Sequence, residues 1–412
     1  MNTYIEILKS LWQPISQLWW IILPVAFYYL FKVIWMDFVN DNWGGSLEWT
    51  ILEVIPPKEL ERGPKPMESI FVALSGVIVG YSCFDEYLVG KFTDRFSFEL
   101  VSLGGEIHYY IRVQKSLRNL VETQIYAQYP GAEVFEVEDY MKKFPKVVPN
   151  RDWEVWGSDV ILSEPDPYPI RTYDKFEEDI TGTMIDPMAG FLELFASVPP
   201  GQNLLWQMVV SPQPESWGKG QMKHVEKLAG RSSGDKRTIL DDFVDVLKNI
   251  FAGLWGPVEF ATTAKKNDQP LAFRLTPMES EKLKALEENL SKNFYKVKMR
   301  FLNLGKKDGF DNTLQTAFFG VLRQFSDLNS NNLRPNDTKP TANYIAANAR
   351  SQALRRRIYN RYRNRNMDGQ NVYFSTTEFA TVYHFPDMGV ITPAVPRVES
   401  KKGTAPFNLP IE

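Results

Sequence analysis

The sequence has one cysteine, Cys83, and only three histidines in 412 residues. A single cysteine excludes an intrachain disulfide, which fits a reducing compartment for the folded part of the chain. There is no H-E-x-x-H pair, so we predict that the histidines are structural and that no metal is bound. The formal net charge of −3 excludes a generally basic protein that coats nucleic acid, although it leaves room for a local basic patch.

Motifs of nucleotide hydrolysis and of nucleophilic catalysis are also missing. The stretches nearest to a phosphate-binding loop, 218–220 and 230–237, lack the G-x-x-x-x-G-K-[ST] pattern and read as exposed loops. No G-x-S-x-G nucleophile elbow occurs. We therefore predict a protein that is not an enzyme and that needs no cofactor. A hydrolase built from scattered carboxylates is the alternative, and it would require a deep pocket with converging acids.

The clearest positive feature is an apolar run at residues 18–36, which follows a short N-terminal segment, 1–17. The run is nearly long enough for a hydrocarbon core of roughly 30 Å, and its aromatic ends resemble those of interfacial helices. A signal peptide or a buried core helix are the alternatives. We predict a single-pass helix in the cell membrane, with membrane lipid as a partner. Positive charge is sparse on both flanks of the run, so it does not determine the orientation. The predicted membrane anchors are Trp19, Trp20, Lys32 and Trp35.

Residues 47–145 have the pattern of a first α+β domain. A strand at 47–55 precedes a helix that begins at Pro66, and Gly104-Gly105 lies in a hairpin between two alternating segments. A helix that stops at Pro130-Gly131 and a strand at 133–137 follow. The order βαββαβ is that of a ferredoxin-like domain.

Residues 150–385 are predicted to be a second, looser ferredoxin-like domain with a helical insertion at about 217–292. A proline-rich tail or linker follows at 386–412. The fold class predicted for the whole chain is α+β, with an N-terminal transmembrane helix and two ferredoxin-like units. The elements predicted in the second unit are strands at 173–181, 203–211, 295–304 and 371–375, and helices from Pro187 and around 314–322.

An arginine-rich segment at 349–365 is the candidate binding site. It reads ARSQALRRRIYNRYRNR and has seven arginines and no acid. Arginine forks bind phosphate and carboxylate, and tyrosines can stack on bases, so single-stranded nucleic acid and anionic lipid are conceivable ligands. Apolar residues at every fourth position also fit an amphipathic helix whose arginines face solvent or an acidic protein. The candidate residues are Arg350, Arg355, Arg356, Arg357, Arg361, Arg363, Arg365, Tyr359 and Tyr362.

Several longer stretches resemble a known family: LEWTILEVIPPKELERGPKPMESIFVALSG, FSFELVSLGGEIHYYIRVQKSLRNLVETQIYAQYPGAEVFEVEDY, DPMAGFLELFASVPPGQNLLWQMVV, TTEFATVYHFP and PRVESKKGTAPFNLP. They are similar to the membrane-anchored N-terminal region of type IV secretion and conjugation-like ATPases of bacteria with reduced genomes. The resemblance covers roughly residues 47–412 and includes no catalytic motif. The chain stops about where the HerA-like motor of that family would begin.

The resemblance implies a scaffold or docking role rather than ATP hydrolysis. It implies partnership with a motor ATPase or secretion-channel proteins, and assembly into an oligomer within the machine. It also implies that the folded domains lie in the cytoplasm. A membrane-anchored nucleic-acid-binding module that uses residues 350–365 is the alternative function.

Overall fold

The computed structural model describes residues 2–58, 63–176, 186–229, 276–327, 329–336, 346–390 and 394–398. Within these ranges the strands are β1 (Trp49–Ile55), β2 (Phe96–Leu103), β3 (Glu106–Gln114), β4 (Glu133–Val137), β5 (Trp153–Leu162), β6 (Gln202–Pro212), β7 (Phe294–Lys306), β8 (Leu333–Pro335) and β9 (Val372–Ser375). The helices are α1 (Asn2–Ser46), α2 (Lys65–Ser75), α3 (Arg118–Gln128), α4 (Ala189–Ala196), α5 (Ser216–Leu228), α6 (Pro277–Leu290), α7 (Thr313–Leu322), α8 (Ala347–Arg363) and α9 (Thr376–Val382).

The described strands form one antiparallel sheet in the order β4-β1-β3-β2-β6-β7-β5-β8, and β9 pairs with β7. The half β4-β1-β3-β2 has the strand order of a ferredoxin-like unit, and the half β6-β7-β5-β8 repeats that order in mirror sequence. The two halves join where β2 pairs with β6, from Phe96 opposite Val210 to Leu103 opposite Asn203. The chain is therefore α+β, and its two repeated units share one continuous sheet.

The β2–β3 hairpin forms where the sequence predicts it. Gly104 and Gly105 have φ values of 63° and 100°, a region that glycine adopts without steric cost. A Cβ atom on Gly105 would also lie 3.0 Å from the carbonyl oxygen of Val198. The turn therefore requires glycine both for its backbone angle and for its close approach to the chain after α4.

The larger core lies on the sheet face that α2, α4, α7 and α9 cover. The ring of Phe71 on α2 stacks on that of Phe379 on α9, with centroids 3.9 Å apart, and meets Phe98 of β2 edge to face at 5.2 Å. Such aromatic pairs stabilise a core beyond the area that they bury. They join an element of the first unit to one that follows the second unit.

A smaller core lies on the opposite face, beneath α8 and the segment that begins at Tyr140. The helix lies directly against β5 because Gly157 has no side chain: a Cβ atom there would be 2.3 Å from Leu302 Cδ2 and 3.2 Å from Ile358 Cγ1. This second layer carries the arginine-rich segment.

The predicted transmembrane helix is wrong. Residues 18–36 lie within α1, but among the described residues no helix is long and apolar enough to cross a membrane. The run mixes aliphatic side chains with tryptophans, tyrosines and Lys32, whose polar groups make burial in hydrocarbon costly. The predicted single-pass membrane localisation is wrong for the same reason.

The second unit also differs from the prediction in its strands. Its first strand is β5, whereas Tyr173–Lys175 form a 3₁₀ turn and 177–185 lie outside the described residues. Its edge strand is β8, and the predicted last strand at 371–375 is instead β9, which pairs with the start of β7. Of the predicted insertion, α5 and α6 are described, and 230–275 lie outside the described residues.

Part of the predicted tail packs against the first unit. Val390 and Val395 are buried, and the backbone N–H of Val398 donates to the carbonyl oxygen of Pro56 at 3.1 Å. The backbone N–H of Lys58 in turn donates to the carbonyl oxygen of Val398 at 2.9 Å. These residues are not a free linker, and 399–412 lie outside the described residues.

Candidate anionic-partner surface

The arginine-rich segment forms α8 and the turn that follows it. Ile358, Tyr359 and Tyr362 are buried against the sheet, so an apolar edge holds the helix in place, as its fourfold spacing predicts. The hydroxyl of Tyr359 donates to the carbonyl oxygen of Pro145 at 2.6 Å. The helix ends at Arg363, and the turn then places Arg365 in the left-handed region with φ 51°.

A row of polar side chains crosses the sheet beneath this turn. Strand pairing places each member directly opposite the next, so all of them lie on the face that α8 covers. Several members are fully buried, which is costly unless they find partners. The row consists of Glu53, Tyr110, Glu99, Gln207, Arg300 and Asp159.

Arg365 neutralises the centre of this row. Its Nε and Nη2 atoms donate to the two carboxylate oxygens of Glu99 at 3.0 and 3.2 Å. Its Nη1 and Nη2 atoms donate to Asp139 at 2.5 and 2.9 Å. The guanidinium is 2% exposed, so this arginine is part of the core and is not available to a partner.

Glu99 accepts three further hydrogen bonds. The hydroxyls of Ser97 and Tyr140 donate to it at 2.6 Å each, and Gln207 Nε2 donates at 3.0 Å. Burial alone would raise the pKa of Glu99, but the adjacent Arg365 and these donors hold that pKa below its ordinary value. The carboxylate is therefore stabilised in its ionised form.

A second buried group lies further along the row. Asp159 bonds to Lys298 Nζ at 2.7 Å and to Arg300 Nε at 3.1 Å. Burial lowers the pKa of Arg300 to about 10, against the opposing effect of Asp159. Arg300 Nη1 donates to the carbonyl oxygen of Arg361 at 3.1 Å, so this group holds the last turn of α8 on the sheet.

Three other arginines of the segment have partners within the chain. Arg355 bonds to Glu154 at 2.9 Å. Arg363 Nη1 donates to the carbonyl oxygen of Pro145 at 3.0 Å, and Arg350 also interacts within the chain. Arg355 and Arg363 therefore link the helix to β5 and to the segment around Pro145.

The remaining three, Arg356, Arg357 and Arg361, line an open groove of about 600 Å³ on the outer side of α8. No hydrogen bond or ion pair joins their guanidinium groups to any residue that the structure describes. Amide side chains complete the polar lining. They are Gln352, Asn360, Asn364 and Asn366.

The two predicted base-stacking tyrosines do not reach this groove. Tyr359 and Tyr362 are buried, and the hydroxyl of Tyr362 lies 2.8 Å from that of Tyr140. Burial raises the pKa of both Tyr359 and Tyr362. The groove therefore offers positive charge and amides, but no aromatic ring from this pair.

The residues predicted to anchor the chain in a membrane lie on α1. Lys32 Nζ lies 5.3 Å from the ring centroid of Tyr87, and Trp35 Nε1 donates to the carbonyl oxygen of Tyr87 at 2.6 Å. Trp20 is exposed, and the side chain of Trp19 lies outside the described residues. The end of α1 thus has partners in the folded domain.

The sequence does not identify Glu99 and Asp139 as functional residues. Both acids pair with Arg365 and so bury this arginine, whereas Arg356, Arg357 and Arg361 have no such partner among the described residues. The signal for Glu99 is a carboxylate between Phe98 and Leu100 in a strand that is buried on both faces. Such a residue requires a cation, but nothing in the sequence identifies Arg365 as that cation.

The chain matches the model of a protein family over residues 46–397, and this family is described as a domain of unknown function (DUF8128). Because the match covers most of the chain, the protein belongs to this family. A search of curated proteins finds no match.

Proposed function

We propose that this protein is a non-catalytic docking component whose outward arginines on α8 hold an acidic surface of a partner protein. The proposal rests on a difference among the arginines of the segment 349–365. Arg365 is committed to buried carboxylates, whereas Arg356, Arg357 and Arg361 line an open groove without a carboxylate among the described residues.

The arrangement of the free arginines supports a partner rather than helix stability. Arg357 and Arg361 are four residues apart on the helix, and like charges at that spacing destabilise a helix by about 0.2–0.5 kcal/mol. A carboxylate from a partner would remove that repulsion and accept two parallel N–H bonds from a guanidinium. The groove amides can donate and accept further hydrogen bonds.

An acidic protein fits the groove better than single-stranded nucleic acid. Recognition of single strands without sequence preference relies on aromatic rings on which bases stack. Tyr359 and Tyr362 are buried beneath the helix, so these rings are not available for stacking. The basic groove alone provides only the electrostatic part of such binding.

The partner class that we propose is a motor ATPase or channel protein of a secretion-like machine. The support is the sequence resemblance described above, together with the absence of phosphate-loop and nucleophile-elbow motifs. Several copies of the chain would then assemble around the motor.

The test is charge reversal in the groove. We expect the variant Arg356→Glu/Arg357→Glu/Arg361→Glu to lose a partner that cross-linking and affinity capture recover with the wild-type chain. The matched control reverses three exposed lysines on α5 and α6, Lys219→Glu/Lys223→Glu/Lys284→Glu, with the same change in net charge. The control should retain the partner.

Two results would contradict the proposal. One is equal recovery of the partner by both triple variants. The other is wild-type binding to single-stranded DNA that the groove variant loses and that weakens by about 20-fold between roughly 50 and 200 mM salt, as three phosphate contacts would give. The second result would establish the nucleic-acid function instead.

A further inference from the structure

A second polar cavity, of about 550 Å³, lies beside the first unit and adjoins the α8 groove, with which it shares Asn364 and Asn366. It is bordered by the last turns of α1, the loop before β2, Arg112 near the end of β3 and the turn after α8. We name it the arginine cavity after the three arginines that line it, Arg95, Arg112 and Arg365. Its volume is in the range of sites that bind small molecules.

Arg112 lies on β3, and Arg95 immediately precedes β2. Arg112 lies directly opposite Ser97, and Arg95 precedes Ser97 by two residues, so the two arginines are diagonal neighbours. Such neighbours lie about 7–8 Å apart, within reach of long side chains. Strand pairing thus brings two guanidinium groups to one side of the cavity.

Aromatic rings hold both guanidinium groups in place. The Arg95 guanidinium carbon lies 3.8 Å from the centroid of Phe92, and that of Arg112 lies 3.9 Å from the centroid of Trp49. Stacking on a ring leaves the N–H edge of a guanidinium free to bind a planar or tetrahedral anion. The rings therefore orient the donors before any ligand arrives.

Neither side chain has a hydrogen bond or ion pair with any residue in the described part of the chain. Arg365 in the same cavity is saturated by Glu99 and Asp139. Burial lowers the pKa of Arg112 to about 10, with the neighbouring charge of Arg365 acting in the same direction. Burial also lowers the pKa of Arg95, against the opposing effect of the carboxylates of Asp368 and Asp41, neither of which is hydrogen-bonded to it. Two partly buried cations without a counter-charge at bonding distance are a costly arrangement that an anion would relieve.

We infer that the arginine cavity binds a small phosphate ester, with the phosphate between Arg95 and Arg112. Guanidinium forks bind phosphate oxygens bidentately, and two forks match a group with several equivalent acceptors. Asp37, Asp41 and Asp368 also line the cavity and are exposed. These carboxylates accept hydrogen bonds from hydroxyl groups of the ester and repel a long polyanion.

The experiment titrates the full chain with inorganic phosphate and with glycerol 3-phosphate, using calorimetry and ³¹P line broadening. We expect saturable binding of both, with the ester tighter. The variants Arg95→Gln and Arg112→Gln should each weaken phosphate binding by about tenfold or more, since each removes hydrogen bonds between charged groups. Arg334→Gln, the same substitution at an exposed arginine of β8, should leave the affinity unchanged.

Three results would overturn the inference. The first is the absence of phosphate binding to the wild-type chain at millimolar ligand. The second is loss of binding in the α8-groove variant Arg357→Gln but not in Arg95→Gln. The third is displacement of phosphate by a single-stranded oligonucleotide. Circular dichroism checks the fold of each variant. If Arg112→Gln does not fold, Arg95→Gln decides alone, because Arg95 precedes β2 and contacts the ring of Phe92. The α8 variants of the docking test keep both cavity arginines, so the two proposals fail independently.

Discussion

Arg365 and Glu99 form a fork-to-fork ion pair across 266 residues of chain, with N–O distances of 3.0 and 3.2 Å. Glu99 lies on β2 at the junction of the two ferredoxin-like halves, opposite Gln207 of β6. The pair therefore fixes the turn after α8 over the line where the halves meet. Because it is almost fully buried, its removal affects the core rather than the surface.

Replacing Arg365 with methionine should destabilise the protein by about 3–5 kcal/mol, because Glu99 would remain buried without its cation. Urea denaturation followed by circular dichroism measures this change. The control is Arg357→Met on the same segment, where we expect a change within about 0.5 kcal/mol. If the two variants lose the same free energy of unfolding, the burial of Arg365 does not explain its contribution to stability.

The close approach of α8 to the sheet can be tested at Gly157. In Gly157→Ala the new methyl group would lie 2.3 Å from Leu302 Cδ2 on β7 and 3.2 Å from Ile358 Cγ1 on α8, so the side chains between the helix and the sheet have to shift. Overpacking of this kind costs about 1–3 kcal/mol, and we expect the same loss in the free energy of unfolding. Gly220→Ala in α5 has open space around it and should stabilise the chain by up to about 1 kcal/mol. If Gly157→Ala leaves the free energy of unfolding unchanged, α8 does not pack against Gly157 as closely as described.

Glu378 predicts a pH dependence of stability. Burial raises its pKa to about 7, against hydrogen bonds from the backbone N–H groups of Ser375 and Ile170 and from Asn289. In the unfolded chain this carboxyl group has the ordinary glutamate pKa of about 4.3. Between that value and about 7 the folded state alone holds the proton. The free energy of unfolding should therefore fall as the pH rises through this window, by up to about 1.4 kcal/mol per pH unit.

Urea denaturation across this window checks the sign. Glu378→Gln cannot release a proton, so its stability should decline less steeply with pH than that of the wild-type chain. The exposed Glu281→Gln variant is the control and should follow the wild type. Parallel curves for Glu378→Gln and the wild type would show that Glu378 does not titrate in this range.

The aromatic stack of Phe71 on Phe379 predicts that the two halves unfold together. Phe71→Ala should cost about 3–5 kcal/mol and lower a single calorimetric transition rather than divide it in two. The exposed Phe135→Ala is the control and should change stability by less than about 1 kcal/mol. Two separate transitions in the Phe71 variant would show that the halves are independent.

Turn residues and alternating apolar residues predict the elements of the first unit. The arrangement of the second unit depends on the pairing of distant strands, for which the sequence has no local signal. The glycine pair at 104–105 identifies the β2–β3 hairpin because few other residues adopt those angles. Strand β5 was missed because it is buried on both faces in its second half and so lacks a clear alternation. The joining of β2 to β6 depends on the pairing of distant strands, which no turn signal reports.

The candidate site was predictable as a segment but not residue by residue. Arginine density and fourfold apolar spacing predicted a basic amphipathic helix at the correct position. Which arginine is free depends on acids elsewhere in the chain: Glu154 for Arg355, and Glu99 with Asp139 for Arg365. Only the folded arrangement therefore separates Arg356, Arg357 and Arg361 from the rest.

Because β2 pairs with β6, the main path of the sheet has only two edge strands within the described chain, β4 and β8. Both are short, at five and three residues, and they carry Glu133, Glu136, Arg334 and Pro335. Charged side chains and proline on edge strands disfavour the pairing of these strands with those of another molecule. These two edges therefore protect the described sheet from uncontrolled stacking with further copies of the protein.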